Sequence, residues 1–263
     1  MNISLKYLYG SIVTFSLSMI ACGKNSAGRN QFNLVSDDEM NEMGDQAYAD
    51  IINKAQLSQN QRINTEVRSI GENIAVASGE SFDWQFNIIA EDTVNAFCLP
   101  GGKVAVYTGI LPVAQNSAAL AAVMGHEVAH ATLRHSSERM SQDLLLQTGL
   151  SLLSITFANS QYQSIIAAAM GIGSTYGVTL PFSRYHESEA DRVGLEYMAK
   201  AGYDPREAIG LWERMGALSE SRPPEFLSTH PDPASRAKDL QSHMANAISL
   251  YENSKQQPTF NLN

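Results

Sequence analysis

The sequence predicts an α+β fold, mostly helical with a small β-sheet. Three observations carry the α+β class. Strand-like segments are few and confined to residues 81–108, and helical segments flank them on both sides. Neither an internal repeat nor a break in composition divides the chain. Its 263 residues suffice for one large domain, and a hydrophobic content of 44% supports a proper core. A formal charge of −9 and a pI near 5.1, with no Lys/Arg cluster, argue against a nucleic-acid partner.

In chain order, Lys6 precedes an apolar stretch from Tyr7 to Ile20, shorter than the ~20 residues a spanning helix needs. It ends at Met19-Ile20-Ala21-Cys22, a small residue just before a cysteine. That pattern resembles a bacterial lipoprotein signal over residues 1–21, which would leave Cys22 as the lipidated first residue. An ordinary cleaved signal and an uncleaved anchor are the alternatives. Gly23, rather than Asp, follows Cys22 and points by the same resemblance to the periplasmic face of the outer membrane. Cys98 is the other cysteine and is expected to be a small buried apolar residue. Residues 22–35 are polar and Gly/Asn-rich and read as a tether. The main domain is expected over residues 36–250, and 251–263 as a disordered tail.

Ser36-Asp37-Asp38-Glu39 is a capping box that opens a helix to about Leu57. A second helix is expected from about Gln59 to Ala77. Ser81–Ala90 partly alternates and reads as a strand; Val94–Leu99 and Lys103–Thr108 read as two more, joined by Pro100-Gly101-Gly102. Helix resumes near Ser117. Residues 143–180 are apolar but interrupted by Gln147, Ser151, Asn159, Gln161 and Gln163. They read as two core helices, with a lid or membrane-facing hairpin as the alternative. Asp204-Pro205 and Asp232-Pro233 each open a further helix, the last reaching about Ala247.

The helix from Ser117 carries His126-Glu127-Val128-Ala129-His130. Histidines four residues apart project from one helical face and can bind a single Zn²⁺, with the intervening glutamate placed as general base. The flanks Ala118–Met124 and Val128–Leu133 are apolar, so the helix is expected to be buried, and buried ionisable groups need a partner or a metal. A third ligand is still required. The extended pattern with glycine seven and histidine ten residues after His126 is excluded by Leu133 and Ser136. His135 lies about half a turn round from His126 on a continuous helix, so it reads as a packing or hydrogen-bonding residue. In His186-Glu187-Ser188-Glu189-Ala190-Asp191, Glu187 and Asp191 share a face while Glu189 points away. Glu187 as ligand and Asp191 as the partner of a ligand histidine's second nitrogen make chemical sense. By spacing alone, a solvated charged face explains them equally well.

Four segments carry a resemblance: Asn95–Gly102; the pentapeptide with Arg134-His135; Glu187 with Asp191; and Ser228-Thr229-His230-Pro231 with Arg236. Over residues 30–245 the chain resembles the zinc metallopeptidase family that includes HtpX, BepA, LoiP and the type I CAAX prenyl proteases, in particular its small lipoprotein members. Cys98 departs from the alanine expected there. The resemblance implies one Zn²⁺ per chain on His126, His130 and Glu187, with Glu127 catalytic and Asp191 behind the ligands. It implies a zincin-like metalloprotease fold whose edge strand lies beside the helix that carries the pentapeptide, and that substrate adds along that strand at Asn95, Ala96 and Phe97. His230 and Arg236 are implied near the metal, either as stabilisers of the reaction's oxyanion or, for His230, as a fourth ligand that holds the site off. The implied substrates are unfolded or misfolded envelope proteins, reached from a lipid-anchored position on the membrane. A chaperone-like or adaptor lipoprotein with latent proteolysis is the alternative.

Overall fold

The computed structural model describes residues 22–148, 183–219, 224–230 and 233–262. The signal read at 1–21 and most of the apolar segment 143–180 lie outside them. No helix among the described residues is long and apolar enough to cross a membrane.

Strands β1 (Cys22–Lys24) and β2 (Asn30–Phe32) pair as an antiparallel hairpin. Helix α1 (Asp37–Lys54) starts where the capping box placed it: Ser36 and Glu39 satisfy each other's backbone N–H groups. Helix α2 (Gln61–Ser78) buries the stripe Ile63, Val67, Ile70, Ile74 and ends at Gly79 in the left-handed region. The sheet contains β3 (Gln85–Ile89), β4 (Ala96–Leu99) and β5 (Lys103–Tyr107) in the order β3-β5-β4. Among the described residues β4 is therefore an edge strand, antiparallel to β5, and β3 is parallel to β5. Gly101 and Gly102 make the β4–β5 turn at φ of 79° and 81°, which glycine adopts without strain.

Strands β4 and β5 do not alternate in polarity because both of their faces are covered. Ala96, Cys98, Val104 and Val106 face the main core with α2, whereas Phe97, Leu99, Ala105 and Tyr107 face a second cluster with Tyr48 and Ile51 of α1. A short 3₁₀ turn (Thr108–Ile110) and helix α3 (Leu111–Ala114) lead into α4 (Ser117–Thr132), capped by Asn116 and buried at every position. Helices α5 (His135–Thr148), α6 (Arg184–Lys200), α7 (Glu207–Ser219), α8 (Phe226–Thr229) and α9 (Pro233–Glu252) complete the chain.

Two expectations are corrected. Residues 22–35 do not form a loose tether: Asn25 and Gln31 are buried, and the hairpin hydrogen-bonds to the end of α4 and to α5. Nor is 251–263 a free tail over the residues described. Helix α9 runs to Glu252, Gln257 N–H donates to the Gly202 carbonyl, Asn261 bridges Asn116, and Leu262 is buried. One buried leucine and a few backbone hydrogen bonds fix this segment, a signal too sparse to read as a pattern.

Helix α4 packs against α2, α6, α7 and β4. Its crossing with α6 is backbone on backbone: a Cβ on Gly194 would stand 2.7 Å from Gly125 C and His126 N. Gly194→Ala gains roughly 1 kcal/mol of helix propensity. Overpacking against rigid backbone costs about 1–3 kcal/mol and decides the sign. Thermal unfolding is expected to show a lowered Tm for Gly194→Ala, and an unchanged or raised Tm would refute the tight crossing.

Candidate active site

Glycine at 125 and 194 brings α4 and α6 close enough for side chains from both to meet. His126 and His130 project from α4 towards Glu187 in the first turn of α6, and His230 at the end of α8 enters from a third direction. All four are at most 3% exposed. His126 Nε2 lies 3.0 Å from His130 Nε2, 3.2 Å from His230 Nδ1 and 3.5 Å from Glu187 Oε2. Glu187 Oε1 lies 3.3 Å from His130 Nε2 and 3.0 Å from His230 Nδ1. Ligand atoms about 2.0–2.1 Å from a tetrahedral zinc stand roughly 3.3–3.4 Å apart. The observed spacings bracket that value, and three imidazole nitrogens with one carboxylate are a donor set that suits zinc.

Glu127 stands beside the cluster. Its Oε1 is buried and has no hydrogen-bond partner among the described residues, and His230 Nε2 is 3.3 Å from it. A buried carboxylate oxygen that makes no hydrogen bond, next to four converging donors, fits a site that holds a metal and a water. Burial pushes the Glu127 carboxyl up, against the pull of His230 and His126. Burial pushes His130 well below the ordinary histidine range, keeping the neutral form that binds metal. Burial acts to raise Glu187 too, but His230 and Arg236 outweigh it and hold the carboxylate well below its usual range.

Behind the ligands, Asp191 Oδ1 lies 3.0 Å from His126 Nδ1, so Nε2 is left to face the cluster. Arg236 from α9 donates through Nε to Asp191 Oδ2 at 2.7 Å, and its Nη1 makes an ion pair with Glu187 Oε2 at 2.9 Å. The guanidinium lies over the Trp212 ring, 3.5 Å from its centroid. Arg236 thus meets both carboxylates, and its Nη2 also lies 2.9 Å from His126 Nδ1. Sequence reasoning missed Trp212, which reads there as one of many core aromatics on a helix.

Strand β4 begins where substrate binding was expected. Tyr107 N–H donates to the Asn95 carbonyl at 3.1 Å, so the backbone groups of Asn95 and Phe97 point into the sheet. Those of Val94, Ala96 and Cys98 point to the free edge. Phe226 N–H already donates to the Val94 carbonyl at 3.1 Å, and the Asn95 side chain accepts from Ala96 N–H at 2.9 Å.

His135 is not a ligand. The half-turn argument assumed one continuous helix, but α4 ends at Thr132, and Arg134, at φ 57°, turns the chain before α5. His135 is thereby placed 2.9 Å from His130, Nδ1 to Nδ1, as a hydrogen-bonding residue. Burial pushes its pKa down to about 4, so its ring is neutral. Glu189, set aside because it points away from Glu187, meets His135 Nε2 at 3.0 Å.

The chain is similar in sequence to known proteins. The chain is 34% identical over 234 residues to the mitochondrial metalloendopeptidase OMA1 of Schizosaccharomyces pombe, covering 84% of this chain and 66% of that protein. It is 38% identical over 174 residues to the OMA1 of Arabidopsis thaliana, covering 65% and 34% respectively. It is 31% identical over 209 residues to the beta-barrel assembly-enhancing protease of Escherichia coli, covering 76% and 43%. The chain thus spans between about a third and two thirds of the length of these relatives. Peptidase family M48 matches residues 58–244, a stretch that contains α4, the edge strand, Glu187, Asp191, His230 and Arg236. The chain belongs to peptidase family M48, a family of zinc metallopeptidases.

Proposed function

We propose that this chain is a zinc-dependent endopeptidase of the bacterial cell envelope, held by a lipid on Cys22 at the periplasmic face of the outer membrane. It hydrolyses peptide bonds in unfolded or misfolded envelope proteins, and its described conformation is a latent one. The observation that carries the chemistry is the buried convergence of His126, His130, Glu187 and His230, with Glu127 Oε1 beside it, 3.3 Å from His230 Nε2 and without a hydrogen bond among the described residues. The Ala21-Cys22-Gly23 sequence supports the anchor, and the name of the Escherichia coli relative supports substrates met during β-barrel assembly. The relatives named OMA1 are mitochondrial, so the envelope assignment rests on the N-terminal sequence and the bacterial relative together.

His126, His130 and Glu187 would hold the ion. Zinc bound there supplies Lewis acidity, which polarises a scissile carbonyl and acidifies water. Glu127 takes one proton from the attacking water and delivers it to the leaving amine, so the carboxylate is regenerated and the proton count closes. Asp191 fixes the His126 tautomer, and Arg236 positions Glu187 and Asp191. An extended peptide adds along β4 by main-chain hydrogen bonds at Ala96 and Cys98, with Asn95 and Phe97 shaping the strand, so sequence preference is weak.

Latency rests on His230. Catalytic zinc sites keep one position open, whereas here four protein donors converge. The segment that supplies His230 also supplies Phe226 N–H to the Val94 carbonyl on the free edge of β4. One short element therefore occupies both the fourth ligand position and one end of the substrate track.

Glu127→Gln is expected to retain one zinc per chain and to lose about 10²–10⁴-fold of its activity on a denatured casein-type substrate. Cleavage at the wild-type rate would remove Glu127 from the mechanism. His230→Ala is expected to raise basal cleavage several-fold while zinc remains bound. A fall in activity would instead assign His230 to the oxyanion, and no change would exclude both roles.

A further inference from the structure

A second line of buried polar side chains leaves the metal cluster from His130. Its Nδ1 meets His135 Nδ1, and His135 Nε2 meets Glu189 Oε2. The Glu189 carboxylate also accepts from Asn25 Nδ2 at 2.9 Å and from Arg29 Nε at 2.9 Å. Arg29 reaches onward, with its two terminal nitrogens 2.9 and 2.6 Å from the two oxygens of Glu138. Gln31 Nε2 donates to Glu138 at 3.0 Å and to the Leu133 carbonyl at 2.6 Å. Asn25, Arg29 and Gln31 all belong to the β1–β2 hairpin, which starts at Cys22.

The proton pattern along this line follows from its end. A His130 ring that offers Nε2 to a metal carries its proton on Nδ1 and donates it to His135 Nδ1. His135 then carries its own proton on Nε2 and donates it to Glu189. Each ring has one allowed tautomer and one allowed orientation. Glu189 is a buried carboxylate, and Arg29 is the cation that meets it. Ligand histidines are oriented and made more basic by the group on their far nitrogen. On His126 that group is Asp191; on His130 it is a histidine, which transmits an orientation only if its own far side is held.

We infer that the N-terminal hairpin is a positioning element of the metal centre: Asn25 and Arg29 fix Glu189, Glu189 fixes His135, and His135 fixes the imidazole of His130. The hairpin thus connects the start of the described chain at Cys22 to a metal ligand through three side-chain links. The inference rests on His130 being a ligand.

Zinc affinity is measured on the full chain by competition with a chromophoric chelator, with circular dichroism of the zinc-free protein as the check on folding. His135→Phe is expected to weaken zinc binding by about 10–100-fold, and Arg29→Gln by about 3–10-fold. The double variant is expected to bind no more weakly than His135→Phe alone, because Arg29 acts through His135. Unchanged affinity in folded Arg29→Gln, or costs that add in the double variant, overturns the inference. Should Arg29→Gln not fold, Asn25→Ala is read in the same assay: weaker binding is expected, and unchanged binding overturns the inference. His126→Ala separates the failures. If it still binds zinc, the ligand assignment is wrong; if it does not, an unchanged Arg29→Gln speaks against the relay alone.

Discussion

A fully buried helix carries two histidines and a glutamate, and the rest of the molecule is arranged around that burden. Every position of α4 is buried, so bulk solvent does little to stabilise a charge on His126, Glu127 or His130. Even after relaxation, an unpaired buried ion costs several kcal/mol. The neighbouring elements each deliver a compensating group. Helix α6 brings Glu187, Asp191 and Glu189; α9 brings Arg236; the segment after α7 brings His230; the N-terminal hairpin brings Arg29. The glycine crossing of α4 and α6 sets how closely these groups approach.

The charge balance of the inner shell explains why a divalent cation suits it. Glu127, Glu187 and Asp191 are three buried carboxylates, and Arg236 is the buried guanidinium among them. With neutral imidazoles the sum is −2, which one Zn²⁺ cancels. Without an ion, the raised pKa of Glu127 relieves part of the same imbalance by protonation. The shift that would tune a catalytic base and the shift that reports a missing counter-charge are therefore one effect, whose largest cause is burial.

The sequence revealed the parts of this arrangement that are local. Two histidines four apart lie on one face of α4 and a Pro-Gly-Gly turn joins β4 to β5, each written within a few residues; the carboxylate pair Glu187 and Asp191, which spacing alone left equally open to a solvated face, is buried. His230 and Arg236 carry no local signal, so only the family likeness placed them near the metal. The hairpin was opaque for a physical reason. Asn25 and Arg29 meet partners 109 to 164 residues away, and polar pairing over such separations imposes no periodicity on the chain. A short polar segment that docks by side-chain hydrogen bonds has the composition of one that does not dock at all. Glu189 was passed over because the helical wheel judges a residue against its own helix, whereas its partner His135 sits beyond a turn at Arg134 that no pattern announced.

If substrate adds along β4 and His230 holds the site off, as proposed, latency and substrate capture are linked by the segment around α8. Phe226 N–H occupies the Val94 carbonyl, the first outward acceptor on the β4 edge, and His230 lies four residues later in the ligand cluster. A peptide that extends along β4 past Ala96 competes with Phe226 for that carbonyl. Its binding energy then works against the segment that carries His230. A ligand shifts such an equilibrium only by the difference in its affinity for the two states. A peptide long enough to reach Val94 has that difference, and one confined to Ala96 and Cys98 does not. On the proposed function, length and extension of the chain, the properties that distinguish an unfolded protein from a folded one, would be the properties that open the fourth position on the metal.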